Sequence, residues 1–284
     1  NLHFASRKFA ASNDCFVSKP KKDDEIHPKF LYYYFLNKMY LLENGFRGAG
    51  LKHLSRSYLN DLPIPIFDYH TAQLRIINIL DKTDAMRQKR KESIKLLDDF
   101  LRATFLEMFG DPVVNPKGWE INKIGKYAKL QGGFAFKSNE YTEEGIKLIK
   151  INNVHFEKVR WDNTTYLTTD YLNKNSDFSL AENDILMAMT RPIIKTLNSV
   201  KLVKINKNDL PGLLNQRVGR FIINELEINR NFLLHFMYGN YFKIQVNKFA
   251  SMALQPNISS SQVESINIFK PPIDLQTKFA DIVH

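Results

Sequence analysis

The feature that most restricts the fold is an internal echo. Ile26-His27-Pro28-Lys29-Phe30-Leu31 runs into the aromatic stretch Tyr32-Tyr33-Tyr34-Phe35-Leu36, and Ile228-Asn229-Arg230-Asn231-Phe232-Leu233 runs into Leu234-His235-Phe236-Met237-Tyr238. The order then continues: Leu54-Ser55-Arg56-Ser57 is matched by Ile258-Ser259-Ser260-Ser261, residues 59–65 by 263–269, and the Asp68 to Gln73 close by Asp274 and Gln276. A spacing of about 200 residues is far beyond any solenoid period, so the chain is expected to carry a duplicated globular unit. On this spacing Asn1 falls opposite Val203, well inside a unit. The chain therefore reads as part of a longer protein.

A helix is the second organising element. Residues 71–108 contain no Gly and no Pro and are rich in helix formers. Leu80, Arg87, Ile94, Leu101 and Met108 recur every seven residues, with Ile77, Leu97 and Phe105 beside them. Gly110-Asp111-Pro112 should end the helix, a flexible Gly followed by a residue that cannot continue it. Such a rod would be on the order of 55 Å long, and its apolar stripe is too broad to leave in water. We expect it to pair with a second long helix through Leu80, Ile94, Leu97, Leu101, Phe105 and Met108, with Asp84, Arg87 and Lys91 fixing the register.

Between Trp119 and Asn224, short β-rich runs (146–151, 184–189, 200–205) alternate with turn signals such as Gln131-Gly132-Gly133 and Leu210-Pro211-Gly212. Added to the aromatic helix around residues 232–241, this predicts a mixed α+β globule. Phe134 and Phe136 fit as core or loop anchors. With 44% hydrophobic and 12% aromatic residues the chain can bury a core. No run of about 18 apolar residues occurs, and Cys15 stands alone, so a membrane-spanning helix, a disulfide framework and a thiolate-rich zinc site are all disfavoured.

Catalytic patterns are missing. The seven His show no metal-ligand spacing, no phosphate-cradling GxxxxGK[ST] loop occurs, and Gly48-Ala49-Gly50 lacks the context of a dinucleotide site. Asn115-Pro116 fits a turn before Trp119. Neither a metal nor a cofactor is expected on this chain. The charge is more informative. A net +10 points to an acidic polymer as partner, and residues 121–220 hold 16 Lys and Arg against 10 Asp and Glu. Amides and cations also gather at strand ends: Lys150 with Asn152 and Asn153, Arg191 with Lys195, Gln216 with Arg217 and Arg220, and Lys137 after the Gly-rich turn. Arg pairs with guanine edges and Asn or Gln with adenine edges, which makes these residues candidates for contact with double-stranded DNA. The Arg87 to Lys91 cluster fits a solvated helix face.

Taken together, these features resemble the specificity subunit of type I restriction–modification systems. The resemblance runs through residues 119–125, Gly133-Phe134-Ala135-Phe136-Lys137-Ser138, Ile149-Lys150-Ile151-Asn152-Asn153, the 184–191 run, Leu214-Asn215-Gln216, Gln255-Pro256-Asn257-Ile258-Ser259, Pro271-Pro272 and Gln276. It implies an α+β target-recognition domain joined to a long coiled-coil spacer helix. The chain would divide into the remnant of a first recognition domain (1–62), a conserved region with the spacer helix (63–112), a second recognition domain (113–262) and the start of a second conserved region (263–284). It also implies a cytoplasmic, non-catalytic DNA-binding subunit whose partners are methyltransferase subunits, which bring S-adenosylmethionine and DNA methylation chemistry, and a restriction subunit. With its apolar stripe unmatched within the chain, the long helix is expected to self-associate. Three alternatives remain open on sequence alone: the recognition component of a related system with fused methyltransferase and nuclease, a recognition tail of an enzyme whose catalytic part lies upstream, and a basic coiled-coil adaptor.

Overall fold

The computed structural model describes residues 2–12, 15–21, 25–48, 53–190, 200–251 and 257–283. The chain forms two compact units, Asn1–Leu97 and Asp98–His284.

The first unit is helical. It holds α1 (Pro28–Asn37), α2 (Met39–Glu43), α3 (Arg56–Asn60) and the beginning of α4 (Leu74–Phe109), which a π-helical turn at Tyr69–Gln73 leads into. Pro28 opens α1 where its missing N–H costs nothing, and the His27 ring nitrogen accepts from the Lys29 N–H at 3.1 Å. Ser55 caps α3 by accepting from Tyr58 N–H. The Asp81 carboxylate takes Lys29 Nζ and Tyr33 Oη, each at 2.6 Å. Burial works against that charge, but the hydrogen bonds from Lys29 and Tyr33 outweigh it and hold the carboxyl below its ordinary range.

Helix α4 runs unbroken for 36 residues and ends where the sequence predicts. Gly110 adopts φ +85°. The last carbonyls find donors: Lys117 Nζ reaches those of Glu107 and Met108 at 2.9 and 3.0 Å, and Trp119 Nε1 reaches that of Phe109 at 2.8 Å. The Asn115 turn is also as expected, its side chain bonding both the N–H and the C=O of Trp119.

The expected pairing stripe divides in two. Ile94 and Leu97 are 56% and 55% exposed, while Leu80 and Leu101 are half-buried. Phe105 and Met108 are not free to pair: Phe105 is 7% exposed and packs with the rings of Phe109, Phe232, Phe269 and Phe279, and Met108 borders the same cluster. A heptad pattern does not show where a helix sinks into a globule, because core and coiled-coil seam demand the same apolar residues.

The second unit is mixed α+β. Its strands are β1 (Glu120–Lys123), β2 (Ala128–Gly132), β3 (Ile146–Ile149), β4 (Thr165–Leu167), β5 (Ile185–Ala188), β6 (Leu202–Lys204), β7 (Gly212–Leu214), β8 (Val218–Ile223) and β9 (Asn267–Lys270). Its helices after α4 are α5 (Ile124–Tyr127), α6 (Tyr171–Lys174), α7 (Arg230–Tyr238), α8 (Asn240–Ser251), α9 (Ser260–Glu264) and α10 (Ile273–Ile282). The strands make an antiparallel sheet in the order β2-β8-β5-β6, a second sheet β4-β3-β7 in which β3 and β7 are parallel, and a β1-β9 ribbon. β5 is apolar on both faces because both are covered. Ile185 and Met187 face the aromatic core with Phe232, Phe269 and Phe279, whereas Leu186 and Ala188 face a core shared with Val203, Leu214 and Val218.

Candidate nucleic-acid interface

Strand register gathers several backbone ends at one edge of the second unit. β2 finishes at Gly132 opposite Gly219, and β5 at Ala188 opposite Val218, the first residue of β8. β3 and β7 run in parallel and finish together at Ile149 and Leu214. Residues 215–218 form the tight turn between β7 and β8, closed by Val218 N–H donating to Asn215 C=O at 3.2 Å.

Neighbouring backbone fixes that turn from two sides. Gln216 N–H donates to Phe134 C=O at 2.8 Å, and Met189 N–H donates to Arg217 C=O at 2.8 Å. Gly133 makes the close approach possible, since a Cβ there would lie 2.2 Å from the Asn215 oxygen. Arg217 sits at φ +67°, a conformation that costs a non-glycine residue on the order of 1 kcal/mol. Gln216 and Arg217 are both exposed. Phe134 is 41% exposed, its ring held edge-on by Phe136 at 4.9 Å and tilted against Phe178 at 5.4 Å, which leaves apolar ring surface open beside the turn. Phe136 is buried, as expected of an anchor, whereas Phe134 is not; the Gly132-Gly133 pair before it was the available signal.

The remaining sequence candidates separate. Asn152 is exposed on the turn that leaves β3, and Lys137 is exposed beyond Phe136, its N–H donating to Glu140. Lys150 is half-buried, its ammonium donating to Thr165 Oγ1 at 2.6 Å and lying 5.2 Å from the centre of the Tyr141 ring. Thr190 bridges to Asn257 at the same edge. Arg191 and Lys195 lie outside the described residues.

Two candidates have internal duties instead. Asn153 is 1% exposed: its Oδ1 accepts from Lys150 N–H at 3.0 Å and its Nδ2 donates to Arg160 C=O at 2.9 Å. No part of it is presented to a base. Arg220 projects inward from β8 and bonds Gln131 Oε1 through Nε and Nη2 (3.1 and 2.6 Å), the carbonyls of Asp177 and Ser179 (2.7 and 2.6 Å) and Asp184 Oδ2 (3.3 Å). Its side chain is 11% exposed. It is a structural clamp, because every donor edge of its fork is occupied.

The edge combines a guanidinium, amides and an open aromatic face. Such a set can hydrogen-bond base edges and stack. Among the described residues no group of His, Cys, Asp and Glu is placed to hold a metal ion, and no helix is long and apolar enough to cross a membrane.

The chain is similar to the specificity subunit of the MjaVIII type I restriction enzyme of Methanocaldococcus jannaschii, with 28% identity over 277 residues, or 93% of this chain and 64% of that relative. Similarity to the EcoAI specificity subunit of Escherichia coli is 31% over 153 residues, covering 54% of this chain and 26% of the relative. The chain thus spans about two thirds or less of these relatives. The fold matches a crystal structure of the type I restriction–modification S subunit from M. genitalium with a TM-score of 0.61 at 16% identity, over 93% of this chain and 66% of that one. A family model, the type I restriction modification DNA specificity domain, matches residues 2–96 and 116–284. On that match the chain belongs to the type I restriction modification DNA specificity domain family.

Proposed function

We propose that this chain is the sequence-reading, non-catalytic subunit of a cytoplasmic type I restriction–modification complex, its second unit reading one half of a split double-stranded DNA site. The observation that carries this is the edge where the ends of β2, β3, β5 and β7 surround an exposed Gln216-Arg217 turn, in a chain of the DNA specificity domain family. Gln216 and Arg217 are the principal reading residues. Asn152, Lys150 and Lys137 stand near them, and Arg191 and Lys195 are candidates from sequence on the stretch that follows Thr190. Residues 113–262 would be the recognition domain, and 263–284 would begin a second conserved region that packs into the same core.

Methyltransferase and restriction subunits would supply all bond-making and bond-breaking, with S-adenosylmethionine bound by the former. Copies of this chain would associate through the exposed Ile94–Leu97 part of α4, with Leu101 at its border. Co-expression with a type I methyltransferase subunit, followed by mapping of methylated adenines, tests the role. Methylation at one recurring sequence that requires this chain supports it, and methylation indifferent to the chain contradicts it.

A further inference from the structure

Lys158, Arg160 and Lys201 are three of the cations that form no ion pair among the described residues. Lys158 and Arg160 are exposed, Lys201 is half-exposed, and none has an acidic partner within salt-bridge distance. By contrast the Lys150 ammonium is engaged with Thr165 and that of Lys147 with the Asn208 carbonyl.

The fold brings these three residues together from two places. Residues 153–160 form a hairpin closed by a Val154–Val159 bridge and by Arg160 N–H donating to Asn153 C=O at 2.9 Å. Its tip docks on β6, where Glu157 N–H donates to Leu202 C=O at 2.9 Å. Lys201 precedes β6 and its carbonyl accepts from Ala188 N–H at 3.1 Å, so it lies at the end of β5 beside Met189 and Thr190. Because β6 is antiparallel to β5, its start belongs to the edge that carries Gln216 and Arg217. Arg160 reaches that edge too, through its backbone bonds to Asn153 on the turn leaving β3.

Lys201 and Arg160 also act on one ring. His155, on the hairpin, is held below its ordinary pKa by burial first and then by Lys201 and Arg160, with Asp162 the acid opposing them. Glu157, the acid within the hairpin, is coupled to Asp98, Lys243 and Arg102 instead, so it does not neutralise the group. Cations brought to one edge by backbone bonds, with no salt-bridged acid beside them, mark a place that favours an anion.

We propose that Lys158, Arg160 and Lys201 form a phosphate-contact site that grips the DNA backbone beside the base-reading turn. The site has this role only if the DNA-recognition function proposed above holds. It divides the labour at the edge, with Gln216 and Arg217 choosing the sequence and the three cations supplying sequence-independent affinity.

The test is binding of the full chain to a labelled mixed-sequence DNA duplex across a range of salt concentration. Lys158→Ala, Arg160→Ala and Lys201→Ala combined should lower the affinity at least about tenfold at low salt and flatten the log–log salt slope by roughly 2 to 3. Arg160→Lys with Lys201→Arg, which keeps the charges, should retain the parental slope. Thermal unfolding of each variant shows whether the fold is intact. A triple variant that folds and binds with the parent's affinity and slope overturns the phosphate site alone. A parent with no salt-dependent affinity overturns the DNA-recognition function and the site with it.

Discussion

The side-chain amide of Gln276 closes on the backbone of Asn229: its Oε1 accepts the Asn229 N–H at 2.8 Å, while its Nε2 donates to the Pro271 carbonyl at 2.8 Å. In the first unit Gln73 does the same. Its Oε1 accepts the His27 N–H at 2.8 Å, and its Nε2 donates to the carbonyls of Phe67 and Glu25 at 2.7 and 3.0 Å. Both glutamines are fully buried. Each ties the residue that caps an aromatic helix, α1 or α7, to the loop before the glutamine's own helical segment. The capping serines repeat as well, Ser55 on α3 and Ser259 on α9. The duplication seen in sequence is thus a duplication of individual hydrogen bonds.

Replacing Gln276 with Ala strands a buried N–H and a buried carbonyl. We expect a loss of about 2 to 3 kcal/mol in the second unit, read from urea unfolding. Gln73→Ala should cause a comparable loss in the first unit. A change near zero at either position would mean that the amide is dispensable.

Arg217 and Arg220 are three residues apart and should behave as opposites. Arg217→Gly relieves a positive φ and should leave stability unchanged or slightly raised, by about 0.5 kcal/mol. Arg220→Ala breaks a buried network with Asp184 and should cost on the order of 3 kcal/mol. Chemical denaturation of both variants settles the contrast.

Stability should also depend on His235. The ring packs edge-on against Tyr238 and Phe279, and burial, helped by Lys204, lowers its pKa from 6.5 to about 4. The fold therefore holds the neutral ring where the unfolded chain takes a proton. Stability from this group is complete above pH 6.5 and is lost as pH falls towards about 4. His235→Phe should remove that part of the acid sensitivity. Melting curves of the two proteins that fall in parallel over this window would contradict the assignment.

The exposed portion of α4 gives a prediction about assembly. Ile94→Glu with Leu97→Glu should abolish self-association in sedimentation velocity while leaving the melting temperature of the second unit in place. Phe105→Ala should instead destabilise that unit by about 3 to 5 kcal/mol, because its ring lies among Phe109, Phe232 and Phe279. A parent chain that sediments as a monomer at all concentrations would count against pairing through this face.

Much of this was legible in the sequence because it was periodic or punctuated. The repeat, the long helix and its Gly110 stop, and the mixed α+β globule all follow from patterns that local physics enforces. Burial was the difficulty. Asn153 and Arg220 have the residue types that read bases, and only the hairpin after β3 and the register of β8 between β2 and β5 reveal that their polar atoms are consumed inside. Lys158, Arg160 and Lys201 present the converse case. In sequence they are ordinary charges among acids, and only the docking of a hairpin on β6 leaves them together without partners.

Selection from a random DNA duplex pool tests whether Gln216 and Arg217 read the bases. The full chain should enrich a recurring motif. Gln216→Ala with Arg217→Ala should lose the preference at one or two adjacent positions, a discrimination worth about 1 to 3 kcal/mol per base pair, with the salt slope nearly kept. An unchanged motif from a folded double variant would show that other residues read the bases.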